Sequence, residues 1–337
     1  MAMKSLIIPD GYASHLSIVE TEVAIKKIKD LFQLQLAANL NLTRVSAPLF
    51  VRRDSGLNDN LSGVERPVGF DTKDSKDDLE IVQSLAKWKR LALHKYKFDV
   101  QSGIYTDMNA IRRDEDVDNI HSIYVDQWDW EKVISKHDRT IEYLKETVRD
   151  IYKVFRQVEE LLAKDYPQYK RVLPADIYFI TSEDLRKRYP DSTPKEREYL
   201  ISKEKGAVFI IGIGNKLGDG SLHDTRAADY DDWNLNGDII LYNEILDIAL
   251  ELSSMGIRVD RQAMLHQLEQ KNELYKLEYP FHRDIVDEVL PLTIGGGIGQ
   301  SRICMFFLKK AHIGEVQVSI WPTEEKEKCA KNNIFLL

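Results

Sequence analysis

Cysteine is scarce in this chain: Cys304 and Cys329 are its only two. Two thiols without neighbouring metal-ligand spacing exclude a disulfide scaffold and a cysteine-based metal centre, and they suit a reducing compartment. Neither stands in a setting that marks a nucleophile. No apolar run approaches the roughly 20 residues of a membrane span. The start, Met1 to Tyr12, lacks the charged end, apolar core and small-residue cleavage site of a signal peptide, so a cytoplasmic location is expected. Excess positive charge is also missing. Against 47 Lys and Arg stand 55 Asp and Glu, a net charge of -8, so no global field draws the protein to nucleic acid or to an anionic membrane. Repeats, low-complexity tracts and linkers rich in Pro, Gly or Ser are absent, and 1–337 is expected to form a single domain.

Against these absences stands an ordinary globular composition, 43% hydrophobic and 30% charged, enough for one large core. Over residues 16–40, Val19, Val23, Ile28, Leu31, Phe32 and Leu36 recur at near-helical spacing and predict an amphipathic helix ended by Asn39 and Asn41. Thr43 to Phe50 reads as an edge strand or contact surface because of Pro48. The polar stretches Asp54–Gly63 and Gly69–Asp78 read as surface loops. Ile141, Leu144, Val148, Ile151, Phe155, Val158 and Leu162 form the clearest helical stripe, over 140–162. Strands are predicted at 120–130, 176–181, 207–213 and 237–242, with shorter candidates at 257–260 and 316–321. Strands scattered among helices without a βαβ rhythm predict an α+β antiparallel sheet.

The most informative stretch is Gly295-Gly296-Gly297-Ile298-Gly299-Gln300-Ser301-Arg302. It reads as a corner where glycines let backbone approach a ligand and adopt φ > 0, leading into a buried helix from Ile303. Arg302 near that helix's N-terminus adds a fixed cation to a positive dipole. The bland reading is a tight packing turn with a surface arginine. The spacing fits neither a Walker loop nor a dinucleotide fingerprint.

Polar groups also fall in segments that otherwise look buried. In the strand around Trp128, period two puts Gln127 and Asp129 on one face with Val125, an amide and a carboxylate able to read an amino acid's ammonium. A solvated strand face is the competing reading. Ser84 to Arg90 sets Lys87, Lys89 and Arg90 beside Trp88, either to hold a carboxylate or simply as a basic helix surface. Arg112-Arg113 precede Asp114-Glu115-Asp116, which local ion pairs in an exposed turn would equally explain. If the strands carrying Asp238 and Glu251 pair, the two carboxylates could share a hard divalent cation that prefers oxygen ligands.

Taken in order, these segments resemble the catalytic core of class II aminoacyl-tRNA synthetases. The first helix with Ser46-Ala47-Pro48 looks like the dimer-forming first motif, Arg112 to Asp129 like the second, and Gly295 to Arg302 like the third. The chain starts almost at the first motif, leaving no room for an anticodon-binding domain. Across its whole length it is similar to the ammonia-dependent asparagine synthetases, the A-type aspartate–ammonia ligases. The blocks that carry this are Asp59 to Gly63, Ser84 to Arg90, Val125 to Trp130, Ala228 to Trp233, Glu251 to Arg258 and Thr293 to Arg302.

The resemblance implies a class II synthetase-like antiparallel sheet flanked by helices, and a homodimer. It implies synthesis of asparagine from aspartate, ATP and ammonia through a β-aspartyl-adenylate, with Mg²⁺ as cofactor and release of AMP and pyrophosphate. Arg112 and Arg302, with Gly295, Gly296, Gly297 and Gly299, should hold ATP; Asp238 and Glu251 should hold Mg²⁺. Lys89 and Arg258 should bind the unreactive carboxylate of aspartate, with Ser84, Gln127, Asp129, Ser254 and Asp59 around the rest. In the aspartyl synthetase the same cations hold the side-chain carboxylate, so here the amino acid is turned end for end. Asp59 and Asp231 are the candidates for receiving the proton of ammonium. Ala2, where an amidotransferase would need cysteine, points to free ammonia as donor.

Three departures stand out. A second arginine, Arg113, follows Arg112, the segment between Trp233 and Asn236 is short where a lid is expected, and Val125 offers no ring for adenine. The rival enzyme is an aspartyl- or asparaginyl-tRNA synthetase paralogue without an anticodon module, and the non-enzymatic rival is an amino-acid-sensing module, which should have lost some of Arg112, Asp238, Glu251 and Arg302.

Overall fold

Helix and strand follow one another irregularly along the chain, and most of the strand pairs are antiparallel. The computed structural model describes residues 6–59, 61, 65–74 and 77–337. Its strands are β1 (Leu42–Arg44), β2 (Phe50–Arg52), β3 (Gly69–Phe70), β4 (Leu79–Ile81), β5 (Gly103–Ile111), β6 (Tyr124–Val133), β7 (Tyr178–Thr181), β8 (Ala207–Ile211), β9 (Asp231–Asn243), β10 (Ile248–Arg258) and β11 (Thr293–Gly299). Its α-helices are α1 (Ile18–Leu40), α2 (Ala86–Tyr96), α3 (Ile141–Asp165), α4 (Ser182–Arg188), α5 (Pro194–Lys205), α6 (Arg261–Gln270), α7 (Pro280–Val286), α8 (Gln300–Phe307) and α9 (Thr323–Lys331). Among the described residues, eight strands form one sheet in the order β1-β5-β6-β11-β10-β9-β8-β7, and β2-β4-β3 form a small second one. Pairing is antiparallel from β5 through β8 and parallel only at the outer pairs β1–β5 and β7–β8. The expected α+β antiparallel sheet flanked by helices is therefore present.

Strand period two divides the sheet into two sides. On β8, Ala207, Phe209 and Ile211 join the main core, while Val208 and Ile210 join a second cluster with Leu185 of α4 and Ile201 of α5. On β6, Trp128 and Trp130 enter the main core, and Phe32 of α1 stacks on Trp128 at 4.3 Å and 6°. Helices α1, α3 and α8 pack on that face, and β9, β10, β11 and the C-terminal segment from Ala311 to Ile334 add to the same core. Their starts are written in the sequence: Ser17 and Glu20 make a capping box before α1, and Thr140 accepts from the Tyr143 amide before α3. Asn41, in the left-handed region at φ 57°, closes α1. No described helix is long and apolar enough to cross a membrane.

Several local expectations need correction. Val19 and Val23 face solvent, 73% and 50% exposed, so the buried stripe of α1 runs through Ala24, Ile28, Phe32 and Leu36 instead. Residues 316–321 form no strand; Val318 and Ile320 are exposed, while Val316, Gln317 and Trp321 are buried. The short segment from Trp233 to Asn236, by contrast, is as read: it lies inside β9 and forms no lid loop. In the loop expected at the surface rim, Asn58 and Asp59 turn inward and are buried; Asn60 and 62–64 lie outside the described residues.

Candidate functional site

On the sheet side opposite α1 and α3, four central strands present a polar layer. Gln127, Asp129 and Glu131 alternate along β6, facing Gly299, Gly297 and Gly295 of β11 in register. Beyond them β10 offers Ser254, Gly256 and Arg258, and Asp238 of β9 stands opposite Ser254. The cleft above this layer is lined by Asp59, Ser84, Lys89, Arg112, Gln127, Asp129, Asp231, Glu251, Ser254, Arg258, Gly296, Gly297, Gly299 and Arg302. Two candidates fall outside the lining. They are Gly295 and Asp238.

The glycine run is no corner. It is a central strand, and none of its glycines has positive φ. What requires glycine is space. A Cβ at Gly295 would sit 2.0 Å from Glu131 Oε2, one at Gly296 2.5 Å from Met255 Cβ, and one at Gly297 2.3 Å from Gln127 Oε1. The bare strand lets a layer of charged side chains lie directly on the main chain. The helix after it starts at Gln300, and its Ser301 amide already donates to Asp126 Oδ1 at 3.0 Å. The α8 N-terminus is thus capped from β6, which leaves the Arg302 side chain, not the dipole, to face an anion.

Burial also overturns the basic-surface reading of α2: Lys87, Lys89 and Arg90 are all buried. Lys89 Nζ donates to Asp129 and, at 3.1 Å, to the Gly296 carbonyl, and it lies 3.8 Å from Glu131. Burial lowers the Lys89 pKa, with Arg258 adding to the effect. Arg258 grips Glu131 through Nε and Nη2, the latter at 2.7 Å, and pairs with Asp231 through Nη1. Burial alone would raise Glu131, but Arg258 and Lys89 outweigh it and hold the carboxylate below its usual range. Thr293 donates to the same carboxylate at 2.7 Å.

Glu131 was missed in the sequence, although period two extended from Gln127 and Asp129 reaches it. Asp229 was missed as well: it is buried among Lys87 at 3.2 Å, His282 at 2.9 Å and Lys276 at 3.4 Å. Tyr230, another omission, lines the cleft under the Arg258 guanidinium, 5.9 Å from ring to cation.

The ambiguity between adjacent arginines resolves by position. Arg112 lines the cleft with its buried Nε lacking any hydrogen-bond partner among the described residues, whereas Arg113 is exposed and outside it. Arg302 donates from Nε to the Ile120 carbonyl at 3.2 Å and from Nη1 to the Glu251 carbonyl at 2.9 Å. Its Nη2 has no protein partner among the described residues. Arg112→Ala should lower kcat/KM for ATP by about 100-fold, while Arg113→Ala should stay within about twofold of wild type. Steady-state kinetics with ATP varied would contradict this placement if the two variants behaved alike. The turn beyond them is less of a cluster than expected: Asp114 is drawn away by Arg66, which donates from its backbone at 2.8 Å and from Nε at 3.0 Å.

Strands β9 and β10 do pair, with a bulge between Glu251 and Ser253. Burial raises Asp238 to about 6, opposed by Arg226 and reinforced by the charge of Glu251. Its Oδ1 is buried with no hydrogen-bond partner among the described residues, while Oδ2 accepts from Arg226. Two oxygen donors, one orphaned, fit the hard-cation chemistry expected of the pair.

Comparison with known proteins follows this geometry. A family model described as aspartate-ammonia ligase matches residues 19–333. An aspartate–ammonia ligase of Clostridium perfringens is 61% identical over 336 residues, 99% of this chain and 100% of that protein. One of Bacillus cytotoxicus is 60% identical over 325 residues, 96% of this chain and 99% of its own. Among solved structures, the asparaginyl-tRNA synthetase of Pyrococcus horikoshii complexed with asparaginyl-adenylate superposes with a TM-score of 0.67 at 14% identity, covering 90% of this chain and 70% of that one. The Entamoeba histolytica asparaginyl-tRNA synthetase in complex with asparaginyl-adenylate gives 0.65 at 13%, covering 89% and 66%. At such identity the likeness is one of fold.

Proposed function

This chain belongs to the aspartate–ammonia ligase family, and from that premise we propose how its cleft carries out the reaction. The enzyme makes L-asparagine from L-aspartate and ammonia at the expense of ATP. The observation that carries the proposed mechanism is that one cleft joins two arginines with unpaired nitrogens, Arg112 and Arg302, to a buried amino-acid reader on β6 and β10.

In this reading aspartate lies on the glycine floor. Lys89 and Arg258 take its α-carboxylate, and Gln127, Asp129, Ser84 and Ser254 fix the ammonium and the carbon chain. The layer supports a zwitterion: two cations, Lys89 and Arg258, face three carboxylates, Asp129, Glu131 and Asp231, and the surplus negative charge suits the substrate's ammonium. The β-carboxylate is then directed at the α-phosphate of ATP. Arg112 and Arg302 stabilise the charge that builds there, because fixed cations in a dry cleft act without reorganising. Asp238 and Glu251 would hold Mg²⁺, which supplies charge neutralisation for the polyphosphate. The products of this step are β-aspartyl-adenylate and pyrophosphate, and ammonia then displaces AMP.

Ammonium must lose a proton before it attacks. Burial raises the pKa of both Asp59 and Asp231, yet Asp231 is committed to Arg258, which leaves Asp59 as the better acceptor. Asp59→Asn should cut asparagine formation by about 100-fold while aspartate-dependent pyrophosphate exchange stays within about threefold. An equal loss in both assays would make Asp59 a binding residue only.

The reading as a whole is tested by supplying aspartate, ATP, Mg²⁺ and ammonium chloride and following asparagine and nucleotide. AMP accompanying asparagine supports the adenylate; ADP overturns it, and charging of tRNA in place of asparagine would favour transfer to RNA. Assembly as a homodimer is part of the same proposal. Ile18, Val19, Val23 and Leu34 leave an apolar edge of α1 in solvent, of the kind that a second copy covers.

A further inference from the structure

Arg226 has no place in the mechanism above, yet it pairs with Asp238: its Nη2 donates to Asp238 Oδ2, while Oδ1 is buried with no hydrogen-bond partner among the described residues. The side chain is 13% exposed and stands between β8 and β9, outside regular structure. Its other contacts are local, Nη1 to the Thr225 carbonyl at 3.1 Å and to Asp224 at 3.8 Å. Arg258 is held differently, between Glu131 and Asp231 on rigid strands. Only the carboxylate under it therefore ties the Arg226 guanidinium to the sheet.

An arginine is always charged and carries donors only, so it satisfies one oxygen of Asp238 as a monovalent stand-in. A dication can neutralise Asp238 and Glu251 together, and Glu251 is close enough to interact electrostatically with both Asp238 and Arg226. We infer that Arg226 is a displaceable counter-cation: it occupies Asp238 in the metal-free enzyme, yields to the divalent ion that enters with nucleotide, and then binds the polyphosphate the ion carries. This rests on the reading of Asp238 and Glu251 as the metal site. The release also gives a reason for metal and nucleotide to bind better together than apart. Bare metal must evict the arginine at a cost, whereas metal with nucleotide offers the evicted guanidinium an anion.

Mn²⁺ binding to the full-length protein, followed by the electron paramagnetic resonance signal of the free ion, tests this without turnover. Arg226→Met should bind Mn²⁺ alone about tenfold more tightly than wild type. With α,β-methylene ATP present the order should reverse, Arg226→Met binding the Mn²⁺–nucleotide about tenfold more weakly. Arg226→Lys, which keeps the charge, should stay within about threefold of wild type for Mn²⁺ alone, and matching Arg226→Met would overturn the inference. So would binding that Asp238→Asn abolishes but Arg226→Met leaves unchanged or weakens, with the metal site still standing. Mn²⁺ binding indifferent to Asp238→Asn would overturn the metal reading, and this inference with it.

Discussion

Replacing Arg302 with alanine should lower aspartate-dependent pyrophosphate exchange by about 10³-fold, roughly 4 kcal/mol of transition-state stabilisation. Two of its nitrogens are spent on carbonyls, those of Ile120 and Glu251, and these bonds hold the plane of the guanidinium still. The third nitrogen faces the cleft in a position fixed before ATP arrives. Negative charge that grows on the α-phosphoryl oxygens would thus meet a donor that has nothing left to rearrange. Lysine keeps the charge but not the fork, so Arg302→Lys should recover little of the loss. Circular dichroism and thermal melting should show a folded protein, because Arg302 is only half-buried and water can reach the freed carbonyls. Exchange within tenfold of wild type in a folded Arg302→Ala protein would remove Arg302 from the chemistry.

Gly295→Ala should be strongly destabilising. The new methyl would lie 2.0 Å from Glu131 Oε2 and 2.7 Å from Arg258 Nη2. β11 is paired on both sides, to β6 and β10, so the backbone cannot back away. Glu131 must move instead, and moving it breaks its bonds to Arg258 and Thr293 in a place with no water to replace them. Separating a buried ion pair costs about 3–5 kcal/mol, a large share of the stability of an ordinary domain. The control is four residues along the same strand. At Gly299 a Cβ meets nothing closer than Arg302 Cβ at 3.4 Å, so Gly299→Ala should lose less than about 1 kcal/mol. Urea unfolding of both variants decides: equal midpoints would mean that the strand is not glycine for reasons of space.

The contrast between these glycines also shows how far the sequence could be read. The buried stripe of α3 and the apolar β8 were legible, because each side chain reports its own environment by period alone. β5 was not, since Thr106, Asp107 and Asn109 interrupt a strand whose two faces are both largely covered. The α2 cations misled for a related reason. Lysine and arginine on a helix ordinarily point to water, and what buries Lys89 is Asp129, 40 residues further on, while Asp229, the partner of Lys87, is 142 residues away. Most of the candidate cleft residues nonetheless came from the sequence, through family resemblance more than through local pattern. Glu131, Asp229 and Arg226 were overlooked because each acts through a partner, and partnership is a property of the fold.

A binding floor made of main chain has a thermodynamic signature of its own. Gly297 and Gly299, in the cleft lining, have no rotamers to surrender, and the sheet has already fixed their backbone, Gly297 between β6 and β10 and Gly299 against β6. Ordering a rotamer-rich side chain at an interface costs about 0.5–1.5 kcal/mol each time, and along this strand that cost was met once, when the chain folded. The entropy lost on binding should therefore fall mainly on the substrates themselves.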